Sequence, residues 1–394
     1  MPNIQTRRYR PVALPREVDG FTFEARAFSD RGEEIILARY GESAFLIQVL
    51  KRDRKKTPDY LIKVEKLTRL SPVSLMQDAL RVFAKLHDLE LTFSNIDSKK
   101  SALIREEDFS ILKNIDYFAT ELSYEKPILI EVGFGSGRHL LYQAKQHPDK
   151  LVIGIEIHRP SIEQVIKQCK LQQIDNILIA DFDARIFLQL LDSDSVEKIF
   201  VHFPVPWDKK PHRRVISQPF VEESLRVLHP GGKLELRTDS ENYFAYAFET
   251  FNALNRYDLQ IRKNHALPIS SKYEDRWKRM EKNIYDLTLT CESTSAQRAL
   301  IYPLVFDEEI PFSEIKRRFA NTIIKKNDFF VHFETLYEID ENSGLIKLSF
   351  GAYEKPEHKY LLFKEKKIQY FPKQTLSIYQ NIKAHTMIKE FFHV

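Results

Sequence analysis

A glycine-rich turn followed by an acidic residue is the feature of this chain that most suggests a ligand site. Gly133, Gly135 and Gly137 follow an apolar run and precede a helix-like stretch. Glycines in that position permit a tight turn that brings backbone amides close to a ligand. Glu156 lies 23 residues after Gly133, at the end of a second apolar run. A carboxylate there can accept hydrogen bonds from both hydroxyls of a ribose, so the pattern predicts a nucleoside-containing ligand.

The spacing alone leaves the identity of this ligand open. It allows S-adenosylmethionine or NAD, although residues 133–137 depart from the G-x-G-x-x-G pattern of dinucleotide folds. A plain strand-to-helix turn remains an alternative for the glycines, and a buried structural carboxylate remains one for Glu131. Asp183 precedes a helical run, where it can cap that helix or accept a hydrogen bond from an adenine amino group. Asp181 is a rival for either role.

A proline-bounded loop at residues 203–207 is the second candidate region. Pro204 and Pro206 restrict the backbone, so Phe203 or Trp207 can be held against a flat base, which is how unpaired RNA bases are commonly gripped. Burial in the core is the alternative, and it is favoured for Phe203. A dense basic run able to contact phosphates follows, comprising Lys209, Lys210, His212, Arg213 and Arg214.

These residues are placed by a region, from about residue 110 to 300, in which apolar runs alternate with amphipathic helical patterns. The predicted strands are 128–131, 151–156, 177–180, 198–202 and 233–238, and the predicted helices include 161–171 and 219–228. Such alternation is typical of an α/β domain with a mostly parallel, doubly wound sheet. Open sheets of this kind bind ligands at the carboxyl ends of their strands, which is where each candidate residue falls.

The flanking regions are smaller and richer in strand-like patterns. Alternating runs between 21 and 50 predict an antiparallel sheet, and the pattern after Pro72 predicts one amphipathic helix. Beyond residue 300, we expect strands at 329–339, 345–351, 360–363 and 368–371 and a helix at 376–392. We therefore divide the chain into an α+β accessory domain with a linker (1–110), a ligand-binding domain (111–300) and a carboxyl-terminal α+β region (301–394).

Composition excludes several classes of protein. No segment approaches the ~20 apolar residues of a membrane span, and no signal peptide is recognisable, so we expect a cytoplasmic protein without a membrane partner. Cys169 and Cys291 stand far apart without companions at ligand spacing, so neither a disulfide framework nor a metal site is indicated. The net charge of +4 favours a polyanionic partner only weakly, and we expect a monomer.

Five strings of the central region together resemble the bacterial tRNA (guanine-N7-)-methyltransferases: EVGFGSGRHL, GIEIH, FPVPWDKKPHRR, LRTD and SKYE. The likeness covers roughly residues 125–290, and the flanks resemble the extensions of the long epsilonproteobacterial members. The resemblance implies a class I (Rossmann-like) methyltransferase domain. It assigns Glu131, Glu156 and Asp183 to S-adenosylmethionine, together with the glycine loop. It assigns Lys209, Asp239 and residues 271–274, which include Ser271 and Glu274, to the tRNA.

Two positions depart from the family pattern. Val205 stands where most members have an aspartate in Pro-Asp-Pro-Trp, so a carboxylate often assigned to catalysis is absent. Guanine N7 carries a free lone pair, and methyl transfer to it needs no prior deprotonation, so alignment can suffice. We hypothesise that Asp239 supplies the missing negative charge as the catalytic residue. The second departure, Ser271 in place of threonine, retains the hydroxyl.

The sequence therefore predicts an enzyme that transfers a methyl group from S-adenosylmethionine to guanine N7 of tRNA, as the enzymes that act at position 46 of the variable loop do. Trp207, Lys209 and Arg213 are expected to contact the RNA. A basic stretch in the first domain extends this phosphate-binding surface, unless it is merely a solvated strand face: Lys51, Arg52, Arg54, Lys55, Lys56, Lys63 and Lys66. The alternatives are a non-catalytic S-adenosylmethionine- and RNA-binding protein and, less well matched, an NAD-dependent oxidoreductase.

Overall fold

The computed structural model describes residues 2–52, 59–70, 73–96, 110–269, 280, 282–298, 303–353 and 355–392. Contacts within the chain divide it into two units. One consists of residues 1–103 together with 301–394, and the other of residues 104–300. Among the helices of the described residues, none combines the length and the apolar character needed to cross a bilayer.

The amino-terminal segment forms an antiparallel sheet with one helix packed against it, as the alternating pattern predicted. Its elements are β1 (Asn3–Thr6), β2 (Arg16–Val18), β3 (Phe21–Ser29), β4 (Glu34–Tyr40), β5 (Ser43–Arg52), β6 (Asp59–Val64), α1 (Val73–Leu86) and β7 (Leu91–Ser94). Alternate residues of β5, such as Phe45 and Ile47, are fully buried and share a core with Leu80 and Phe83 of α1. The apolar face that the two-residue period gives the strand thus packs against the apolar face that the helical period gives α1.

The central unit alternates strands with helices. Its elements are β8 (Leu112–Lys113), α2 (Ile115–Thr120), β9 (Ile128–Val132), α3 (Arg138–Gln146), β10 (Leu151–Ile155), α4 (Arg159–Gln172), β11 (Ile177–Ala180), α5 (Ala184–Phe187), β12 (Val196–His202), α6 (Gln218–Val227), β13 (Leu228–Thr238), α7 (Glu241–Asn252), β14 (Asp258–Lys263) and β15 (Tyr285–Thr290). The five predicted strands correspond to β9 to β13. β8, β14 and β15 were not predicted.

The strands of this unit are ordered β14-β15-β13-β12-β9-β10-β11-β8 across one sheet. β15 is antiparallel to both of its neighbours, whereas the pairs from β13 to β8 are parallel. Buried clusters lie on both faces of the sheet. This is the class I (Rossmann-like) arrangement that was expected. The chain runs outward from β9 to β11 and then returns to β12, so the order of the strands reverses between β9 and β12, where ligands bind in open α/β sheets.

The carboxyl-terminal segment also forms a sheet with packed helices. The four predicted strands and the last helix are confirmed, whereas the helix Phe312–Arg318 and the strand Thr322–Lys325 were not predicted. Its elements are α8 (Phe312–Arg318), β16 (Thr322–Lys325), β17 (Phe330–Asp340), β18 (Ser343–Gly351), β19 (Glu357–Lys364), β20 (Lys367–Phe371) and α9 (Tyr379–Phe392). Phe333 of β17 and Leu348 of β18 pack with Ile388 of α9 in its core.

The two flanking segments share one sheet, although their sequence patterns predicted separate regions. β17 pairs with β3 through Tyr337 opposite Ser29 and Glu338 opposite Phe28. The Tyr337 hydroxyl also donates a hydrogen bond to Glu33 Oε2 at 2.8 Å. Local sequence patterns reveal strands, but they do not reveal which strand pairs with another about 300 residues away. The pairing of β3 with β17 could therefore not be predicted from the sequence.

Candidate functional site

The turn after β9 has the backbone geometry that only glycine adopts readily. Gly133, Gly135 and Gly137 have φ angles of +69°, +51° and +72°. The Gly133 amide donates to the Ile155 carbonyl at 2.8 Å, which ties the turn to the neighbouring strand β10. A Cβ added at Gly137 would lie 2.2 Å from Cγ2 of Val165 on α4. The glycines therefore shape a turn that packs closely on α4 and begins α3.

Glu156 links this turn to the end of β10. Its Oε2 accepts a hydrogen bond from the Gly135 amide at 3.0 Å, and its Oε1 accepts from the amides of Ile157 and His158 at 2.8 and 2.9 Å. A carboxylate oxygen accepts about two hydrogen bonds, so Oε2 retains capacity for a further donor such as a ribose hydroxyl. The next residue, Ile157, is 73% exposed and offers apolar surface beside the carboxylate.

Glu131 has a partner inside the protein. The residue is buried, and its Oε2 lies 3.0 Å from Nδ1 of His139 on α3. The other ring nitrogen of His139 lies 3.0 Å from Gln143 Nε2. These contacts match the alternative of a buried structural carboxylate, and contact of Glu131 with the cofactor stays a prediction.

A second buried polar pair, His202 with Glu235, lies beside the Glu131–His139 pair. His202, at the end of β12, bonds Glu235 Oε1 of β13 through its Nε2 at 2.8 Å, and Lys198 Nζ lies 2.7 Å from Glu235 Oε2. Burial lowers the pKa of His202 despite the neighbouring Glu235 carboxylate. Burial alone would raise the pKa of Glu235, but the His202 hydrogen bond and the Lys198 ammonium outweigh it and hold that pKa well below its usual range. These contacts fix His202, the last residue of β12, directly before the proline-bounded loop. Its ring centroid is 4.5 Å from that of His139.

Asp183 fulfils the structural half of its predicted roles. Its Oδ1 accepts a hydrogen bond from the Arg185 amide at 3.0 Å and so caps α5. Its Oδ2 also bonds the Arg185 guanidinium at 2.7 Å. Contact with an adenine stays a prediction. The rival Asp181 lies 3.6 Å from Arg159, and the capping role belongs to Asp183 instead.

The proline-bounded loop leaves the carboxyl end of β12 in an unusual conformation. Phe203 and Trp207 have positive φ angles of +49° and +46°, which non-glycine residues rarely adopt. Phe203 is half-buried, with its ring centroid 6.0 Å from the Arg237 guanidinium, so it is not the fully buried core residue that the sequence favoured. Val205 is 61% exposed, and Trp207 is 38% exposed. The loop therefore presents side chains at the ligand-binding edge of the sheet.

The basic run after this loop divides into two parts. Lys209, Lys210 and Arg213 are exposed, and the Arg213 guanidinium lies 5.1 Å from the Trp207 ring centroid, so it covers one face of the indole. Arg214, interpreted from the sequence as a phosphate contact, is buried instead. Its Nε donates to the Pro206 carbonyl at 2.7 Å, and its guanidinium lies 4.6 Å from the Tyr246 ring centroid. Arg214 therefore links the loop to α7, because its guanidinium bonds the Pro206 carbonyl of the loop and packs on the Tyr246 ring of α7.

Asp239 follows β13 at the same edge of the sheet. His202 is opposite Arg237 in the pairing of β12 with β13, so Asp239 and the 203–207 loop leave adjacent strand ends. Asp239 Oδ2 bonds Lys282 Nζ at 3.0 Å. Ser271 and Glu274, the other residues assigned to tRNA by resemblance, lie outside the described residues.

Arg237 is a residue of this region that sequence reasoning missed. It is fully buried, pairs with Asp286 of β15 and donates to the His265 carbonyl at 2.9 Å. The Arg237 carbonyl also accepts a hydrogen bond from the Phe203 amide at 2.7 Å. Arg237 therefore fixes the start of the proline-bounded loop. The sequence held little signal for this role, because β13 also carries Lys233 and Glu235, and only the fold shows that Arg237 is the charged residue buried with a partner.

Comparison with known proteins identifies the family. The sequence model of a family described as putative methyltransferase matches residues 125–287. A tRNA (guanine-N(7)-)-methyltransferase of Campylobacter jejuni subsp. jejuni (strain 81-176) is 42% identical, covering 100% of this chain and 99% of that protein. The chain belongs to the tRNA (guanine-N(7)-)-methyltransferase family. Relatives of the same name from Wolinella succinogenes and Helicobacter hepaticus are 40% and 36% identical over 99% and 92% of this chain.

Membership of the tRNA (guanine-N(7)-)-methyltransferase family confirms the resemblance drawn from the five strings. The alignments with the Campylobacter and Wolinella enzymes extend over essentially the whole chain, so the flanking unit belongs to the shared protein. The central unit is accordingly the S-adenosylmethionine-dependent methyltransferase domain.

Proposed function

We propose that this chain transfers the methyl group of S-adenosylmethionine to N7 of a guanine in tRNA, at position 46 of the variable loop. The observation that carries the proposal is the meeting of two loops at the point where the strand order reverses. The turn at Gly133–Gly137, held by Glu156, follows β9, and the proline-bounded loop follows the adjacent strand β12. The names of the full-length relatives specify the substrate class.

The residues around Glu156 fit a nucleoside. Oε2 retains acceptor capacity for a ribose hydroxyl, and the exposed Ile157 side chain supplies apolar surface for a purine. S-adenosylmethionine, when bound, supplies an electrophilic methyl group on its sulfonium. The glycine turn and Glu156 would hold the nucleoside part of the cofactor at the carboxyl end of β9, next to the strand end from which the 203–207 loop leaves.

The residues that contact the tRNA need only align guanine N7 with the methyl group and stabilise the positive charge that develops on the base. The lone pair of guanine N7 is free, so no general base is required. Holding the reacting atoms in near-attack geometry contributes ~7–11 kcal/mol to lowering a barrier. Methylation leaves a positive charge on the purine. The Asp239 carboxylate, held through Oδ2 by Lys282, supplies a negative charge at the adjacent strand end, in place of the family aspartate for which this chain has Val205. Lys209 and Arg213, both exposed, contact the RNA backbone beside it.

The experiment that tests the position uses two otherwise identical tRNA transcripts, one of which carries adenine in place of guanine at position 46. We expect about one methyl group per guanine-46 transcript at completion, and essentially none in the adenine-46 transcript. Equal incorporation into both transcripts would place the methyl group on another nucleotide. Tight cofactor binding with no incorporation into either transcript would favour the non-catalytic alternative.

A further inference from the structure

The strand register of the flanking unit brings together cations that are distant in sequence. Thr6, the last residue of β1, is opposite Tyr60 of β6, and Tyr60 is opposite Lys51 of β5. Arg52 is opposite Asp59 in the next position. The segment that leaves β1 therefore starts at the same end of the sheet as the end of β5, with only β6 between them. We call the cationic side chains at this place the basic corner: Arg7, Arg8, Arg10, Lys51 and Arg52.

The segment after β1 is anchored to the unit. The Thr6 hydroxyl lies 2.8 Å from the Glu90 carbonyl and accepts from the Arg8 amide at 3.3 Å. Tyr9 donates its hydroxyl to Glu34 Oε1 at 2.7 Å, and its ring centroid is 5.7 Å from that of Tyr60. Because Tyr9 is held in this way, Arg8 and Arg10 on either side of it are presented to solvent from a fixed backbone. Fixing the backbone in advance reduces the entropy cost of binding a partner.

The charge of the basic corner is not neutralised within the described part of the unit. Arg7, Arg8, Arg10 and Lys51 are exposed, and Arg52 is half-buried. Elsewhere in the unit, cations have carboxylate partners, as in Lys316 with Glu338, Lys383 with Asp328 and Lys389 with Asp307.

Among the described residues, no ion pair joins any of the five cations of the basic corner to an acid. Sheet pairing and hydrogen bonding bring three acids to this place. They are Asp59, opposite Arg52, Glu90, whose main-chain carbonyl bonds Thr6, and Glu34, which bonds Tyr9 and is already paired with Arg26. Three acids against the five corner cations and Arg26 leave a local excess of positive charge, which is the electrostatic footprint of a polyanion site.

We propose that the basic corner binds phosphates of the tRNA backbone. This inference rests on the proposed function for the identity of the polyanion. It joins two cations of the basic stretch noted in the sequence, Lys51 and Arg52, to three arginines that no motif connected with them. Lys63, in contrast, lies half-buried within β6, and Lys66 lies beyond the opposite end of that strand. Phosphate contacts supply affinity and position the RNA without reading its sequence.

The test compares two sets of neutral variants of the full chain. Arg7, Arg8 and Arg10 are replaced with Gln in one, and Lys51 and Arg52 in the other, so a folding defect in one variant leaves the second informative. The matched control replaces the exposed Lys364, Lys366 and Lys367 with Gln, at the β19–β20 turn of the same unit. Binding of unmodified tRNA is measured without cofactor over a series of salt concentrations, and turnover is measured at saturating tRNA.

We expect each corner variant to weaken tRNA binding by roughly tenfold or more near physiological salt. The slope of log K against log salt should fall by about 0.7–0.9 for each phosphate that the variant no longer binds. Turnover at saturating tRNA and the affinity of the control should stay within about twofold. Unchanged affinity and slope in both corner variants, or an equal decrease in the control, would overturn the proposal. Failure of the proposed function would appear separately, as tRNA binding by the wild-type chain without methyl transfer.

Discussion

Glu156 Oε2 lies 3.0 Å from the Gly135 amide nitrogen, so the carboxylate that ends β10 holds the turn that follows β9. The same side chain accepts two further amides from the chain that leads into α4. One residue thus shapes the turn, and the proposed function gives it a second role as the acceptor for a ribose. The two roles use different lone pairs of one carboxylate.

Replacing Glu156 with Gln should weaken binding of S-adenosylmethionine by about 10- to 100-fold, because hydrogen bonds to a charged acceptor contribute ~1.5–3 kcal/mol each. Isothermal titration calorimetry of the variant measures this directly. Asp149→Asn is the matched control, because Asp149 is exposed and precedes β10, at the end of that strand opposite to Glu156. Unchanged affinity in the Glu156 variant, or an equal decrease in the control, would contradict the assignment.

Replacing Asp239 with Asn should reduce kcat by about 100-fold, because a fixed charge at a site of developing charge typically contributes that much. Single-turnover rates at saturating tRNA and cofactor test this, with cofactor affinity expected to change little. Adding Val205→Asp to the Asp239 variant should restore part of the rate, since Val205 is 61% exposed and leaves room for a carboxylate on the neighbouring loop. A variant of Asp239 with unaltered turnover would remove this residue from the mechanism.

Replacing Gly137 with Ala should lower the free energy of unfolding of the central unit by about 2–4 kcal/mol. Two costs combine, a positive φ of +72° and a Cβ that would lie 2.2 Å from Val165 Cγ2. Gly133→Ala also has a positive φ but meets no atom within 4 Å, so its cost should be only ~1–2 kcal/mol. Denaturant unfolding followed by tryptophan fluorescence reports on this unit, because both tryptophans belong to residues 104–300. Equal decreases in stability in the two alanine variants would show that the contact with Val165 is not responsible.

The central unit should become less stable as the pH falls from about 7 to 5. Burial lowers the pKa of His202, so in this pH range the unfolded chain binds a proton at His202 that the folded unit does not bind. Adding protons therefore stabilises the unfolded state and lowers the free energy of unfolding. Glu235 contributes in a lower range, because its folded pKa is depressed and its stabilising effect disappears only below the ordinary carboxyl pKa. Unfolding of the His202→Gln variant, followed by tryptophan fluorescence, should have a smaller pH slope than that of the wild type. An identical slope in the two proteins would contradict this role of His202.

The strands and the ligand edge of the central unit were predictable because their signals are local. Apolar runs, the glycines at 133–137 and the acid at Glu156 each report on a few neighbouring residues, and the carboxyl-end rule then brings them together. The five central strands and the fold class followed from these signals. β8, with two residues, and the charged edge strand β14 carry too little apolar pattern to be recognised.

The roles of individual charged residues were less predictable. Arg213 and Arg214 are adjacent in one basic run, yet Arg213 is exposed beside Trp207 whereas Arg214 is buried under the loop. A run of charged residues has no periodic pattern that would show which of its members is exposed and which is buried. The partner of Glu131 on α3 and the joining of β3 with β17 depend in the same way on tertiary contacts. Sequence reasoning placed the candidate residues at one edge of the sheet but did not give the contacts of each side chain there.

The central claim is tested most directly by incubating the purified chain with methyl-labelled S-adenosylmethionine and unmodified tRNA, digesting the RNA to nucleosides and identifying the labelled one. We predict that the label is recovered as 7-methylguanosine, which would also show that Val205 is compatible with methyl transfer. Recovery of the label in a different nucleoside, or cofactor binding without any labelled nucleoside, would contradict the claim.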